Sequence, residues 1–375
     1  RGYVAGLVVG RVGFDEVDFS QVTGSVTVDL RSGSASYTGG VAGFESLIGP
    51  SAASGFLYAP WAPNEWLISG EDTGTLNTEG NDEVAFAGFG NLLGGNTTDR
   101  FVIQSGGSLS GYLNGNSGTD RVELEDRGAP IEVIAGSPRS IPGVLGSFSA
   151  EQMEALGPGN HRLTGGTGNN YWYLNASGQI VINSTSYDGF EQIEGGTGFD
   201  RLYGPSLETT WNIDGPETGQ VSYGTTVHNV VGFDALYGGS LVDTFVVAQG
   251  GSWSGSLLGG NGNDTFTVLG GPVGLIDGDN GVDQVIGPES NNDWRLQGYA
   301  TGTLKAETLY RDVESLIGGS LHDTFTFEPR GYVAGLVVGR VGFDEVDFSQ
   351  VTGSVTVDLR SGSASYTGGV AGFES

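Results

Sequence analysis

The sequence predicts an all-β chain wound as a parallel β-solenoid, a β-helix or β-roll of about 20 residues per turn, with a few loop excursions and one short helix. Three observations carry that prediction: a literal long-period repeat, a gap-free internal duplication, and a ten-residue motif of paired glycines and an aspartate. Residues 1–46 recur letter for letter at 330–375, a period of 329. Residues 1–329 are therefore one tandem unit, and 330–375 begin the next identical one. The seam at Pro329–Arg330 falls inside the pattern and not in a linker. Within the unit, residues 89–120 align without gaps on 233–264, and a looser copy runs from Val313 to Asp344, which indicates growth by stacking.

The smallest motif, apolar-x-Gly-Gly-x-x-x-Asp-x-apolar, is anchored at Asp15, Asp82, Asp99, Asp120, Asp200, Asp243, Asp264, Asp283 and Asp323. Ser54, Asn170, Thr209 and Asn292 replace the aspartate in degenerate copies, three of which carry Gly-Pro for Gly-Gly. The glycines turn the chain and the following Phe-Val-Val or Phe-Thr-Val forms a strand. Anchors are often 19 to 21 residues apart, as from Asp243 to Asp264 to Asp283, and two pairs are nine apart, so nine is half a turn. About sixteen turns per unit then span ~80 Å at the spacing of paired strands.

Two stretches break this rhythm. Residues 56–66, Phe-Leu-Tyr-Ala-Pro-Trp-Ala-Pro-Asn-Glu-Trp, read as a rigid apolar excursion in which Tyr58, Trp61 and Trp66 are candidate interaction residues. Residues 127–160 read as a second excursion holding the one helix, with Ser149 and Gln152 at capping-box positions and Gly157-Pro158 as its stop. Both suit lateral contacts between copies, and both equally suit plugs over a defect in the core.

Composition supports the fold and narrows the function. Sixty-nine glycines with 12 prolines and 37% hydrophobic residues exclude both collagen and a disordered linker. The chain carries 44 acidic against 15 basic residues, a net charge of -29, and Lys305 is its only lysine. Such a surface repels nucleic acid and anionic lipid. There is no cysteine, and no apolar run reaches the roughly 18 residues of a membrane span.

Two nonapeptides, Gly-Gly-Asn-Gly-Asn-Asp-Thr-Phe-Thr at 259–267 and Gly-Gly-Thr-Gly-Phe-Asp-Arg-Leu-Tyr at 195–203, fit G-G-x-G-x-D-x-U-x. In this the chain resembles the RTX (repeats-in-toxin) proteins, and its broader texture is similar to the β-helical repeats of large bacterial surface adhesins and filamentous-haemagglutinin-like proteins. The resemblance implies a secreted or cell-surface location and calcium held between successive nonapeptides. The chain departs from it, because the half-turn partners of Asp200 and Asp283 are Thr209 and Asn292. The candidate cation ligands are Asp277, Asp279 and Asp283 of Asp-Gly-Asp-Asn-Gly-Val-Asp, followed by Asp264 and Asp200. The alternative is that these side chains bond backbone amides of their own turn, and the fold then requires no cofactor.

Enzymatic function is not expected. His161, His228 and His322 stand singly in unrelated settings, and neither a nucleophile motif nor a phosphate loop is present. The expected role is a structural or adhesive extracellular rod that pairs with copies of itself and contacts surface glycans. The rival reading is a glycan-binding or polysaccharide-processing β-helix. Trp211 and Trp294, at the inward motif position, belong to the core in either case.

Overall fold

The computed structural model describes residues 3–51, 54–80, 83–136 and 139–373, so the motif anchor Asp82 lies outside the described residues. The fold is all-β, built of long and mostly parallel sheets. The chain packs as two units, 1–166 with 181–191, and 167–180 with 192–375.

In the first unit, Asn64–Gly70, Asp99–Ile103, Arg121–Leu124, Gln152–Ala155 and Thr185–Asp188 pair in parallel succession. Their registers stack Trp66 on Phe101, then Val122, Met153 and Tyr187, all buried. A second parallel ladder aligns Val28, Leu57, Leu92, Leu113 and Phe148. In the second unit, Trp211, Phe245, Phe266, Val285, Leu316, Val337 and Val370 occupy one register line. The first three rings lie nearly flat on one another, with centroids 5.7 and 4.9 Å apart. Trp172, Leu202, Leu236, Leu257, Ile276 and Tyr310 form another line. Strands such as Asn64–Gly70, Thr244–Val247 and Thr265–Val268 alternate buried and outward residues, so identical motif positions meet from turn to turn and bury apolar surface.

The turn length is less uniform than about 20 residues. Partners are 19 or 21 residues apart in bare turns, such as Phe266 to Val285 and Phe245 to Phe266. Elsewhere they are 29 apart (Val28 to Leu57) to 39 apart (Leu47 to Phe86). The longer turns carry longer loops or antiparallel hairpin strands, for example Asn292–Gly298, Thr301–Leu304 and Thr308–Arg311.

Both expected excursions contribute to the ladders. Gly55–Tyr58 and Asn64–Gly70 are paired strands, and only Ala59 to Pro63 lie between them. The expected helix after Ser149 is absent, and no helix occurs among the described residues. Phe148–Ser149 and Gln152–Ala155 are strands instead. Met153 and Ala155 are buried with a period of two, and Gln152–Ala155 is paired on both sides, so tertiary pairing overrides the local capping signal.

The glycine pair has a steric reason. A Cβ on Gly259 would run into Asp264 Oδ2 and lie 2.8 Å from the Gly278 carbonyl oxygen of the next turn. Gly260 takes φ +98°, which turns the chain. The first glycine of each pair therefore makes room for the aspartate five residues on.

Candidate functional site

The motif aspartates form a ladder of buried carboxylates that reaches from turn to turn. Each Oδ1 accepts the backbone N–H of the equivalent residue in the preceding turn. Asp243 N–H donates to Asp264 Oδ1 at 2.7 Å, and Asp264 N–H to Asp283 Oδ1 at 2.7 Å. Asp323 N–H donates to Asp344 at 2.8 Å, and Asp99 N–H to Asp120 at 2.9 Å. These seven side chains, and that of Asp200, are at most 1% exposed. The sequence reading expected bonds within the residue's own turn. Those occur too, from Gly95 N–H to Asp99 Oδ2 and from Gly319 N–H to Asp323 Oδ2, both at 2.6 Å.

Three of the four degenerate motif residues, with Asn64, are the first rungs, whereas Ser54 takes part only through its carbonyl, which accepts from Val26 N–H. Asn64, Asn170, Thr209 and Asn292 each donate a side-chain hydrogen to the aspartate of the next turn, namely Asp99, Asp200, Asp243 and Asp323. At these four places a hydrogen-bond donor stands where the later turns carry the carboxylate. Last rungs are three glutamates and one aspartate. Glu45, Glu151, Asp234 and Glu314 cap the N–H of Asp15, Asp120, Asp200 and Asp283. Each also returns its own N–H to the carbonyl of the residue it caps, at 2.9 to 3.1 Å. His161 sits in such a ladder, accepting from Ile131 N–H at 3.0 Å while its own N–H donates to Glu191 at 2.8 Å.

Burial raises the carboxyl pKa of Asp99, Asp200, Asp264 and Asp323, and pushes Asp120 and Asp243 up to about 6 and Asp283 to about 7. The Oδ2 atoms of Asp243, Asp264 and Asp283 are buried without a hydrogen-bond partner, which disfavours the ionised form further. The folded chain therefore holds protons between pH 4 and 7 that the unfolded chain releases. The stability linked to these groups is fully present below about pH 4 and is lost as pH rises through 6 to 7. The melting temperature is expected to be several degrees higher at pH 5 than at pH 8. An equal or lower value at pH 5 contradicts this assignment.

The five candidate cation ligands have separate placements. Asp200, Asp264 and Asp283 are rungs. Asp277 is buried against the Arg311 guanidinium, with Nε at 2.7 Å. Asp279 lies at the surface with φ +61°. No group of three or more His, Asp or Glu side chains placed to hold a metal ion occurs among the described residues. The three rung carboxylates serve backbone amides of the preceding turn, and Asp277 serves Arg311.

Of the candidate interaction residues, Trp66 is a correction. It is fully buried, stacked on Phe101 with centroids 5.8 Å apart, because its strand alternation points it inward. Trp61 is 55% exposed, and Tyr58 is half-buried. The Arg31 guanidinium lies over both rings, at 4.7 and 4.3 Å from their centroids. The other four tryptophans are core. A further surface, absent from the sequence reading, is the stack of Tyr173, Tyr203 and Tyr237, with centroids 4.9 and 4.2 Å apart, beside exposed Tyr171. The three histidines stay apart: His228 is buried near Tyr223, and His322 lies beside Phe343 at the surface. No known family model, curated protein or solved structure matches the chain.

Proposed function

We propose that this chain belongs to an extracellular structural or adhesive filament, a parallel β-solenoid whose 329-residue units follow one another without linkers. The seam carries the reading. Asp323–Phe327 passes into Val333–Val338 through a turn in which Gly331 N–H bonds the Glu328 carbonyl at 2.8 Å. The same turn, at the same distance, occurs away from the seam at Gly107 to Gln104 and at Gly251 to Ala248. The two 46-residue copies also place strands at equivalent positions, such as Glu16–Asp18 and Glu345–Asp347. A joint of this kind suits a product that repeats length and surface more than one that repeats a reaction centre.

In this reading the filament is secreted or held at a cell surface, bacterial by the character of its repeats, and needs no metal because its carboxylates are taken by amides. Its first partner is another copy of itself. Glycan contact is the second reading, favoured by the exposure of Trp61, Tyr171 and Tyr173. Incubation with neutral and acidic polysaccharides is expected to release no new reducing ends, and a chelator is expected to leave the melting temperature unchanged. New reducing ends would move the chain to the polysaccharide-processing proteins.

A further inference from the structure

On the outward surface of the second unit, tyrosines from three successive turns meet ring to ring. Tyr173 stands opposite Tyr203 and Tyr203 opposite Tyr237 in the parallel register. Their centroids are 4.9 and 4.2 Å apart, with ring planes 12° and 18° from parallel. Tyr173 is 48% exposed and the other two are half-buried, so solvent reaches the stack. The flat stack of the core is built from tryptophan and phenylalanine, at Trp211, Phe245 and Phe266, whereas this outward one is built from phenols alone. Two residues along the same strand the pattern changes. Tyr171 is about as open as Tyr173, at 43%, but stands opposite Arg201, whose guanidinium lies 5.1 Å from its centroid. It therefore faces a cation and not a second phenol. A chain without cysteine has no disulfide with which to tie its turns.

We propose that Tyr173, Tyr203 and Tyr237 form an oxidative cross-linking site, at which Tyr203 joins Tyr237 or Tyr173 through a dityrosine bond that staples one turn to the next. The oxidant is a haem peroxidase with hydrogen peroxide. Each of two phenols gives one electron to the oxidant and its hydroxyl proton to water, leaving two phenoxyl radicals. These join by a carbon–carbon bond ortho to each oxygen, and the two ortho hydrogens then move to the oxygens and restore both phenols. The two electrons and two protons released reduce one hydrogen peroxide to two waters. The register holds the radicals in adjoining turns, so their coupling is a step within one molecule and needs no encounter. Burial and the adjoining Tyr237 phenol push the Tyr203 pKa up to about 12, so Tyr203 is neutral at physiological pH and loses its proton together with its electron. A bond from Tyr203 to Tyr237 ties residues 34 apart and limits the unfolded chain as a disulfide would. The site stands apart from the filament reading, since the bond forms inside one chain.

The test treats the full-length chain with a haem peroxidase and hydrogen peroxide, then reads dityrosine fluorescence and maps the linked residues by mass spectrometry of proteolytic peptides. Single chains carrying a link from Tyr203 to Tyr237 or to Tyr173 are expected, in a yield per chain that does not fall on dilution. The linked chain should melt several degrees above the untreated one. Tyr203→Phe keeps the ring stack and removes the phenol common to both links, so both are lost. Tyr171→Phe, at a site of similar exposure, should leave them unchanged. Absence of both links from the parent chain, dityrosine that forms only between chains, equal losses in the two variants, or a linked chain that melts no higher than the untreated one overturns the proposal.

Discussion

Alanine in place of Trp66 is expected to lower the unfolding free energy by about 4 kcal/mol, the upper part of the range for emptying a large buried aromatic site. The indole is fully buried, flat against Phe101 and edge-on to Phe86 at 5.7 Å, and lies between paired strands that cannot collapse into the space without losing register. Alanine in place of Trp61 removes an exposed ring and one contact with Arg31, and should cost less than about 1 kcal/mol. Urea titration of both variants decides the matter. Equal losses, or a larger loss at Trp61, would contradict the inward assignment of Trp66.

Leucine in place of Asp264 is expected to cost about 2 to 3 kcal/mol, because Asp243 N–H is then buried with no acceptor. Asparagine should stay within about 1 kcal/mol of the parent at pH 8. Its Oδ1 still caps Asp243, and its amide can donate to Asp283 as Asn292 does to Asp323. It also removes one of the raised carboxyls, so the loss of stability between pH 5 and pH 8 should be smaller than in the parent. If asparagine and leucine were equally damaging, Asp264 would be acting through its charge and not as an acceptor.

The period of the fold was legible because an aspartate, a glycine pair and an apolar triplet recur together, and the parallel register puts those recurrences on top of one another. What each aspartate bonds was not legible, since its amide partner is 21 residues away at Asp264 and Asp120 and 19 away at Asp283. Asn170, Thr209 and Asn292 act as donors to the aspartate of the next turn, 30, 34 and 31 residues away, which local pattern does not reveal. The last rungs had a visible signal that was missed: Phe44-Glu45, Phe233-Asp234 and Val313-Glu314 share an apolar-acid pair directly before a strand. Ser149 misled because a capping box and a strand start can share the same letters, and only pairing on both sides of Gln152–Ala155 separates them. The tyrosine stack depends on residues 173, 203 and 237 meeting across turns of unequal length, which local pattern does not reveal.

The central claim is that units continue through the seam as one paired ladder. Electron microscopy of chains carrying one, two and three covalently joined 329-residue units tests it most directly. The account predicts straight rods whose length grows by a constant increment in the order of 80 to 90 Å per unit, at ~4.8 Å per paired strand. Globular beads joined by bends at the seams, or rods that do not lengthen with unit number, would contradict it.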